Sequence, residues 1–238
     1  CVSELTRQTV INQYHQDPKK CVAMHNAVYP LSDEYKAIVP QKKPDEKVVT
    51  YLGRITMQKG PEYFLEAAKR VLDRSRNIRF CFAGSGDMMN AMIDLAAAYG
   101  IADRCHFPGF QRGKQVYECY KNSNVFVMPS VSEPFGIAPL EAMQCGCPSI
   151  ISKQSGCGEI LDNVIKVDYW DIDAMADAIY SVCTNDALYN YLSEEGIKEV
   201  DRITWEKVGL RIRECYDQLT RRGWFNNDEY LNAVKNIK

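Results

Sequence analysis

The sequence predicts a doubly wound, Rossmann-like α/β domain built on a parallel sheet. From residue 48 onward, short apolar runs of strand length alternate with longer amphipathic segments of helix length. That alternation is typical of a parallel sheet covered by helices on both faces. The chain has no internal repeat and no low-complexity tract, so a solenoid or a disordered region is not indicated.

The elements follow one another in a regular order along the chain. The predicted strands are Val48–Gly53, Ile78–Ala83, Cys105–Phe107, Val125–Met128, Ser149–Ile151 and Ile165–Val167. Helices are predicted from Pro61 and from the Gly84–Gly86 turn to about Tyr99, and then at Lys114–Lys121, Ile137–Cys145, Ile172–Cys183, Ala187–Lys198 and Trp205–Leu219.

Local signals support several of these helices. Pro61 suits a first helical position, and an apolar stripe at helical spacing follows it. Gly100 ends the second helix, and Pro139 lies in the first turn of another. The two acidic residues of Asp171-Ile172-Asp173 open a helix, where we expect them to act as caps and dipole partners rather than metal ligands.

Composition excludes several classes of function. Of the 238 residues, 46% are hydrophobic and 25% are charged, which is ordinary for a globular protein. A net charge of -2 gives no support to nucleic-acid or membrane-surface binding through bulk charge. No apolar run approaches the ~18 residues of a membrane span, and no signal peptide is present. The ten cysteines are scattered without a CxxC pair, so we expect reduced thiols, no metal site and a cytoplasmic location.

The chain is predicted to have three parts. Residues 1–47 carry little apolar surface and include a polar, proline-containing connector, and the chain starts with Cys1 rather than Met. We therefore expect residues 1–47 to be the end of a preceding domain and its connector. Residues 48–220 form the α/β domain, and the aromatic residues of 221–238 suggest a tail that docks on a partner surface.

Candidate functional residues lie in the loops after the strands, because open α/β sheets bind ligands at the carboxyl ends of their strands. The first loop, Gly53–Gly60, contains Arg54 and Lys59 between glycines. Two cations placed there can grip an anion such as a diphosphate, and the alternative is a solvated basic loop. The second loop contains Gly84 and Gly86, but Met89 replaces the third glycine of a dinucleotide fingerprint. A hydride-transfer enzyme is thus not supported, and the turn could be purely structural.

The third loop carries two carboxylates beside a predicted helix start. Glu133 lies in the loop after a strand, and Glu141 lies one turn inside the helix that follows. Free backbone N–H groups at a helix start favour an anion. Carboxylates accept hydrogen bonds from hydroxyl pairs, so the loop suits a ligand with both phosphates and hydroxyls. The alternative is one capping and one surface glutamate.

These residues together resemble a known family. Seven residues separate Glu133 from Glu141, which matches the E-x7-E motif of retaining glycosyltransferases with the GT-B fold. The surrounding EPFGIAPLEAM is similar to family 4 of that class, which includes glycogen- and sucrose-synthase-like enzymes. Ala27 stands where the family usually has glycine. Because this position belongs to the connector, we expect the difference to have little effect on activity. The resemblance covers about residues 1–220 and includes Val2–Glu4, His25–Val28, Gly53–Gly60, Gly84–Gly86, His106–Phe110 and Ser155–Glu159.

The resemblance implies a role for each site residue. It implies that Arg54 and Lys59 hold the donor diphosphate, that Glu141 holds the ribose hydroxyls, and that Glu133 faces the transferred sugar. The backbone at Phe135, Gly136 and Ile137 would assist Glu133. Gly84, Gly86 and Phe110 would line the base pocket. The family generally works without a bound metal or cofactor, since the nucleoside-diphosphate sugar is a substrate.

The sequence therefore predicts the C-terminal, donor-binding half of a GT-B glycosyltransferase that transfers a sugar, with glucose favoured, to a glycan or small acceptor. The acceptor would bind through an N-terminal half that the chain lacks, so we expect the chain alone to bind nucleotide weakly and turn over little. Two alternatives remain open. One is a GT-B-like nucleotide-sugar epimerase or hydrolase, and the other is a non-catalytic nucleotide-sensing module.

Overall fold

A computed structural model of the chain describes residues 1–222, and side-chain positions as far as residue 219. The predicted strands and helices are all present, with bounds shifted by at most a few residues. The strands are β1 (Lys47–Leu52), β2 (Ile78–Ala83), β3 (Cys105–Gly109), β4 (Val125–Met128), β5 (Ser149–Ser152) and β6 (Ile165–Val167). The helices are α1 (Glu4–Tyr14), α2 (Asp33–Lys36), α3 (Pro61–Arg74), α4 (Met89–Ala98), α5 (Lys114–Asn122), α6 (Ala138–Gln144), α7 (Ile172–Thr184), α8 (Asp186–Val200) and α9 (Trp205–Arg222).

The six strands form one parallel sheet in the order β3-β2-β1-β4-β5-β6. This is the strand order of a doubly wound domain, so the predicted fold class is confirmed. The order reverses between β1 and β4. At such a switch point the loops leaving the two strands run to opposite faces of the sheet and open a crevice for a ligand. The loops after β1 and β4 are the first and third loops predicted to carry the site.

Both faces of the sheet are covered, because successive residues of each strand point to opposite sides. In β4, Val125 and Val127 join a core shared with α3, α4 and α7. Phe126 and Met128 join a second core shared with α5 and α6. Since β4 contributes to both cores, the carboxyl end from which the site loop departs is fixed on both sides.

The helix starts follow the local sequence signals. Pro61 is the first residue of α3, as predicted. Asp171 caps α7, where its side chain accepts a hydrogen bond from the Ala174 N–H at 3.0 Å. Asp173 forms an ion pair with Arg70 of α3. Asp171 is therefore the cap that the sequence predicts, and Asp173 lies in the first turn of the same helix.

The structure describes the N-terminal end of the chain but only the beginning of the predicted C-terminal tail. The N-terminal helix α1 contacts the 3-10 turn Gly156–Glu159, which follows β5. The predicted docking tail, residues 221–238, lies outside the described residues apart from the last two residues of α9. Within residues 1–222, no helix is both long and apolar enough to cross a membrane.

Candidate active site

The candidate site forms where the loops after β1 and β4 meet at the switch point. Gln58 of the first loop joins the two loops through two hydrogen bonds. Its carbonyl accepts a bond from the Val131 N–H at 3.0 Å, and its side-chain amide donates to the Ser132 carbonyl at 3.0 Å. Because Lys59 follows Gln58 and Glu133 follows Ser132, this pairing brings the predicted cation and carboxylate together.

Lys59 and Glu133 form an ion pair, in which the ammonium donates to Oε2 of the carboxylate. The Glu133 side chain is only 10% exposed and that of Lys59 21%. A carboxylate so deeply buried needs a partner of opposite charge, and Lys59 provides it. The Glu133 backbone is also fixed, since its N–H donates to the Gln154 carbonyl and its carbonyl accepts from the Gly156 N–H, both at 3.0 Å.

A cavity of about 330 Å³ opens directly on this ion pair. That volume lies at the small end of the range of about 300–1,000 Å³ for ligand pockets, so it suits a sugar and a phosphate better than a whole nucleotide sugar. Five of the predicted site residues line the cavity, namely Lys59, Glu133, Phe135, Gly136 and Ile137.

Arg54 and Phe110 do not line the cavity. The side chain of Arg54 is exposed, and its guanidinium donates to the Gln58 side-chain carbonyl at 3.1 Å. Its neighbour Gly53 lines the cavity, so Arg54 lies at the rim. Phe110 is 67% exposed, after the end of β3. Both side chains are free to approach a ligand that extends beyond the cavity.

Glu141 also lies outside the cavity, in the first turn of α6. Its Oε2 accepts a hydrogen bond from the Tyr120 hydroxyl at 3.3 Å, and Tyr120 is fully buried. Burial raises the pKa of Glu141 above its ordinary value, although the Tyr120 bond acts in the opposite direction. Ile137 and Ala138, one turn earlier, line the cavity. Glu141 is thus fixed in orientation just behind the cavity wall.

Gly84 and Gly86 bring the loop after β2 against the loop after β1. A Cβ atom at Gly84 would overlap the Gly53 carbonyl, and one at Gly86 would overlap the Ile55 carbonyl. The Ile55 N–H donates to the Ser85 carbonyl at 2.9 Å in the same contact. Close approach of two backbones requires glycine here, which supports the structural interpretation of this turn. Neither glycine lines the cavity.

Among the lining residues that were not assigned to the site from the sequence are Val2, Asn26 and Ser130. Val2 and Asn26 reach the cavity from the N-terminal segment, and Ser130 reaches it from the loop after β4. Ser130 is fully buried, and its hydroxyl has no hydrogen-bond partner within the described part of the chain. Asn26 belongs to the His25–Val28 motif, which marks a connector in the sequence and carries no sign of a contact with the site.

Comparison with known proteins identifies the family. The model described as "Glycosyl transferases group 1" matches residues 33–199, well over half of the chain. The chain belongs to this family. An uncharacterized glycosyltransferase of Methanocaldococcus jannaschii is 30% identical over 90% of the chain and 58% of its own length. D-inositol 3-phosphate glycosyltransferase of Rhodococcus opacus is 30% identical over 74% of the chain and 42% of its own length. The chain therefore spans about half the length of the curated relatives it matches.

Solved glycosyltransferase structures share the fold. The protein HepE of Anabaena, in a crystal structure with UDP and glucose, matches 92% of the chain and 62% of its own length with a TM-score of 0.78 at 17% identity. Sucrose-phosphate synthase of Thermosynechococcus elongatus matches 92% of the chain and 57% of its own length with a TM-score of 0.74 at 24% identity. The chain thus shares the parallel α/β fold of these GT-B glycosyltransferases, and the predicted Rossmann-like fold class is confirmed.

Proposed function

We propose that the chain is the donor-binding part of a retaining, family 4 glycosyltransferase, which transfers a sugar from a nucleoside-diphosphate sugar to a glycan or small acceptor. One observation carries the proposal. The buried Lys59–Glu133 ion pair lines a small cavity at the switch point of the sheet. A cation for a phosphate and a carboxylate for sugar hydroxyls are thereby placed side by side in one cavity.

Lys59 and Arg54 are the proposed diphosphate ligands. When the donor binds, the phosphate replaces Glu133 as the partner of the Lys59 ammonium, and Arg54 approaches from the rim. Negative charge develops on the nucleoside diphosphate as it leaves the sugar, and fixed cations stabilise that charge. In this mechanism the protein's own cations neutralise the leaving group, so we expect no metal or cofactor to be required.

Glu133 and Glu141 are the proposed hydroxyl ligands. Once Lys59 engages the phosphate, the Glu133 carboxylate is available to the hydroxyls of the transferred sugar, with the backbone of Phe135, Gly136 and Ile137 beside it. Glu141 is proposed to hold the ribose hydroxyls. The Tyr120 hydroxyl bond orients its carboxylate before the ligand arrives.

The base is proposed to lie outside the cavity, beside the loops after β2 and β3. The cavity of about 330 Å³ is too small for the whole donor, which agrees with this placement. Phe110 offers an exposed ring for stacking, whereas Gly84 and Gly86 contribute backbone surface.

The acceptor and the location of the whole protein are further proposals. Relatives named as inositol phosphate glycosyltransferases and a structural neighbour named as sucrose-phosphate synthase favour a polar acceptor. HepE, whose structure contains UDP and glucose, favours glucose as the sugar. We propose that the acceptor binds to a part of the protein beyond this chain, and that the protein works in the cytoplasm.

Nucleotide binding tests the proposal. Isothermal titration of the 238-residue chain with UDP, ADP, GDP, UDP-glucose, UDP-N-acetylglucosamine, ADP-glucose and GDP-mannose should show binding of at least one diphosphate and its sugar. NAD should not bind. Tight NAD binding, or no heat with any of the seven compounds, would overturn the assignment. In the full-length protein, release of free sugar or of an epimer without transfer would instead support the epimerase or hydrolase alternative. Binding without any turnover would support the sensing module.

A further inference from the structure

Another cavity, of about 440 Å³, lies between the 3-10 turn Gly156–Glu159, the corner that joins α8 to α9, and the first turns of α9. Of its lining residues within the described part of the chain, only Asn26 also lines the cavity at the switch point. Its volume lies within the range of about 300–1,000 Å³ for ligand pockets. Four basic side chains line it, namely Lys198, Arg202, Lys207 and Arg211.

These four cations are spaced in a way that works against folding. Lys198 and Arg202 are four residues apart across the end of α8, and Lys207 and Arg211 are four residues apart on α9. Like charges at this spacing on a helix repel each other and destabilise it. A fold that brings both pairs to one cavity therefore indicates a role for them other than stability.

Three of the four carboxylates that line the cavity are already engaged. The Glu199 carboxylate accepts hydrogen bonds from two backbone N–H groups of the loop before β6, at 2.6 and 2.9 Å. The Glu159 carboxylate accepts two from the first turn of α1. Glu195 forms an ion pair with Lys198 at 2.7 Å. The fourth carboxylate belongs to Asp162, an exposed residue.

Arg202 and Arg211 are the two arginines of the cavity, and no described residue engages their side chains. Neither guanidinium forms a hydrogen bond or an ion pair within the part of the chain that the structure describes. The Lys207 ammonium donates to the Arg202 carbonyl at 2.9 Å, and an ammonium has two further N–H donors. Three cations with unused donors thus line one cavity.

A phosphate ester matches these donors. A phosphoryl group carries a charge of about −1.5 to −2 at pH 7 and has three acceptor oxygens. Guanidinium groups bind phosphate oxygens in pairs, and an ammonium adds a point charge. The cavity of about 440 Å³ also leaves room for the alcohol part of the ester. We propose that this cavity binds a small phosphorylated molecule through Arg202, Lys207 and Arg211, separately from the proposed donor site.

The test is isothermal titration of the 238-residue chain with glycerol 3-phosphate. Inorganic phosphate is the minimal probe and glycerol the uncharged match, and we expect both phosphates to bind and glycerol not to. Arg202→Gln and Arg211→Gln should each weaken binding of glycerol 3-phosphate at least about tenfold, the effect of one lost hydrogen bond to a charged group. Arg213→Gln removes the same charge from an exposed position of α9 outside the cavity. This control should change the Kd by less than about twofold.

Three results would overturn the proposal. The first is a wild-type chain that binds neither phosphate, or that binds glycerol equally well. The second is an equal loss in Arg213→Gln, which would mean that surface charge rather than the cavity attracts the anion. The third is a matching loss of UDP binding in Arg202→Gln and Arg211→Gln, which would assign both arginines to the donor site.

The proposed function and this site can fail independently. If the wild-type chain binds glycerol 3-phosphate but no nucleotide, the proposed function fails and the phosphate site stands. Thermal unfolding without ligand checks that each variant folds. Should Arg211→Gln fail to fold, Arg211→Lys keeps the charge but loses the paired donors. It should still weaken binding of glycerol 3-phosphate more than Arg213→Lys does, and equal effects would count against the site.

Discussion

Glu133 is a charged residue at 8% exposure, and Lys59 is what makes that burial tolerable. The pairing has a consequence for ligand binding. A diphosphate that binds Lys59 must displace Glu133 from the ammonium. The negative charge of the carboxylate also repels it. From the sequence alone, Glu133 is expected to be indifferent to a bare diphosphate, because its partner would be the missing sugar. The ion pair instead makes Glu133 a competitor of the diphosphate.

Glu133→Gln should therefore tighten the binding of a bare diphosphate. Loss of the carboxylate frees Lys59 and removes a repulsion, and we expect an effect of about 0.5–1.5 kcal/mol, or about twofold to tenfold in Kd. Titration with UDP, ADP and GDP measures it. Glu194→Gln changes the net charge by the same amount at an exposed position of α8 and serves as the control. Weaker binding by Glu133→Gln would mean that Glu133 orients Lys59 for the phosphate rather than competing with it.

At the scale of secondary-structure elements, the contacts of helix α1 could not be predicted from the sequence. Ser3 caps α1 by accepting a bond from the Thr6 N–H at 3.0 Å, and its hydroxyl donates to the Pro134 carbonyl at 2.6 Å. Glu159 adds a second contact, since its carboxylate accepts bonds from two N–H groups in the first turn of α1, at 2.7 and 2.8 Å. The helix is thus attached directly behind the loop that carries Glu133.

Ser3→Ala tests this attachment. Ser3 is fully buried, so the substitution removes both a helix cap and a buried hydrogen bond. We expect the free energy of unfolding to fall by about 1–2 kcal/mol. Thr9→Ala removes a hydroxyl from the same helix that bonds only the Leu5 carbonyl, and it should cost less than about 0.5 kcal/mol. Urea unfolding of both variants makes the comparison. Equal losses would show that the bond to Pro134 adds nothing to the fold.

The limits of prediction follow from sequence separation. The sheet and its helices were predictable, because hydrophobic periodicity and turn residues act over a few neighbours. Lys59 and Glu133 could be proposed as candidates because each lies in the loop after a strand whose end is at the switch point. Asn26 and Ser3 were not assigned to the site. Their contacts depend on docking across more than a hundred residues, which no local pattern encodes.

At the scale of the whole molecule, the two cores share one sheet. β4 contributes alternate side chains to both, and the β1 and β2 strands pair along their full length. Elements joined in this way are expected to unfold together, as small domains usually do. A change in the ionisation of one partly buried group is therefore expected to change the stability of the whole fold, and Glu141 is such a group.

Glu141→Gln should change how the stability of the chain depends on pH. Burial raises the pKa of Glu141 in the folded state, with the Tyr120 bond acting in the opposite direction. Below the unfolded pKa of about 4.3 the carboxyl is protonated in both states and costs nothing. As the pH rises above the unfolded pKa, the carboxyl ionises first in the unfolded chain. The contribution of Glu141 to folding therefore falls, and it is lost once the pH has passed the folded pKa. Glutamine keeps an acceptor for the Tyr120 hydroxyl and has no charge. The variant should therefore match the wild type near pH 4 and become the more stable of the two toward pH 7, measured by urea unfolding across that range. A gap that narrows as the pH rises would show that the folded protein favours the ionised carboxylate instead.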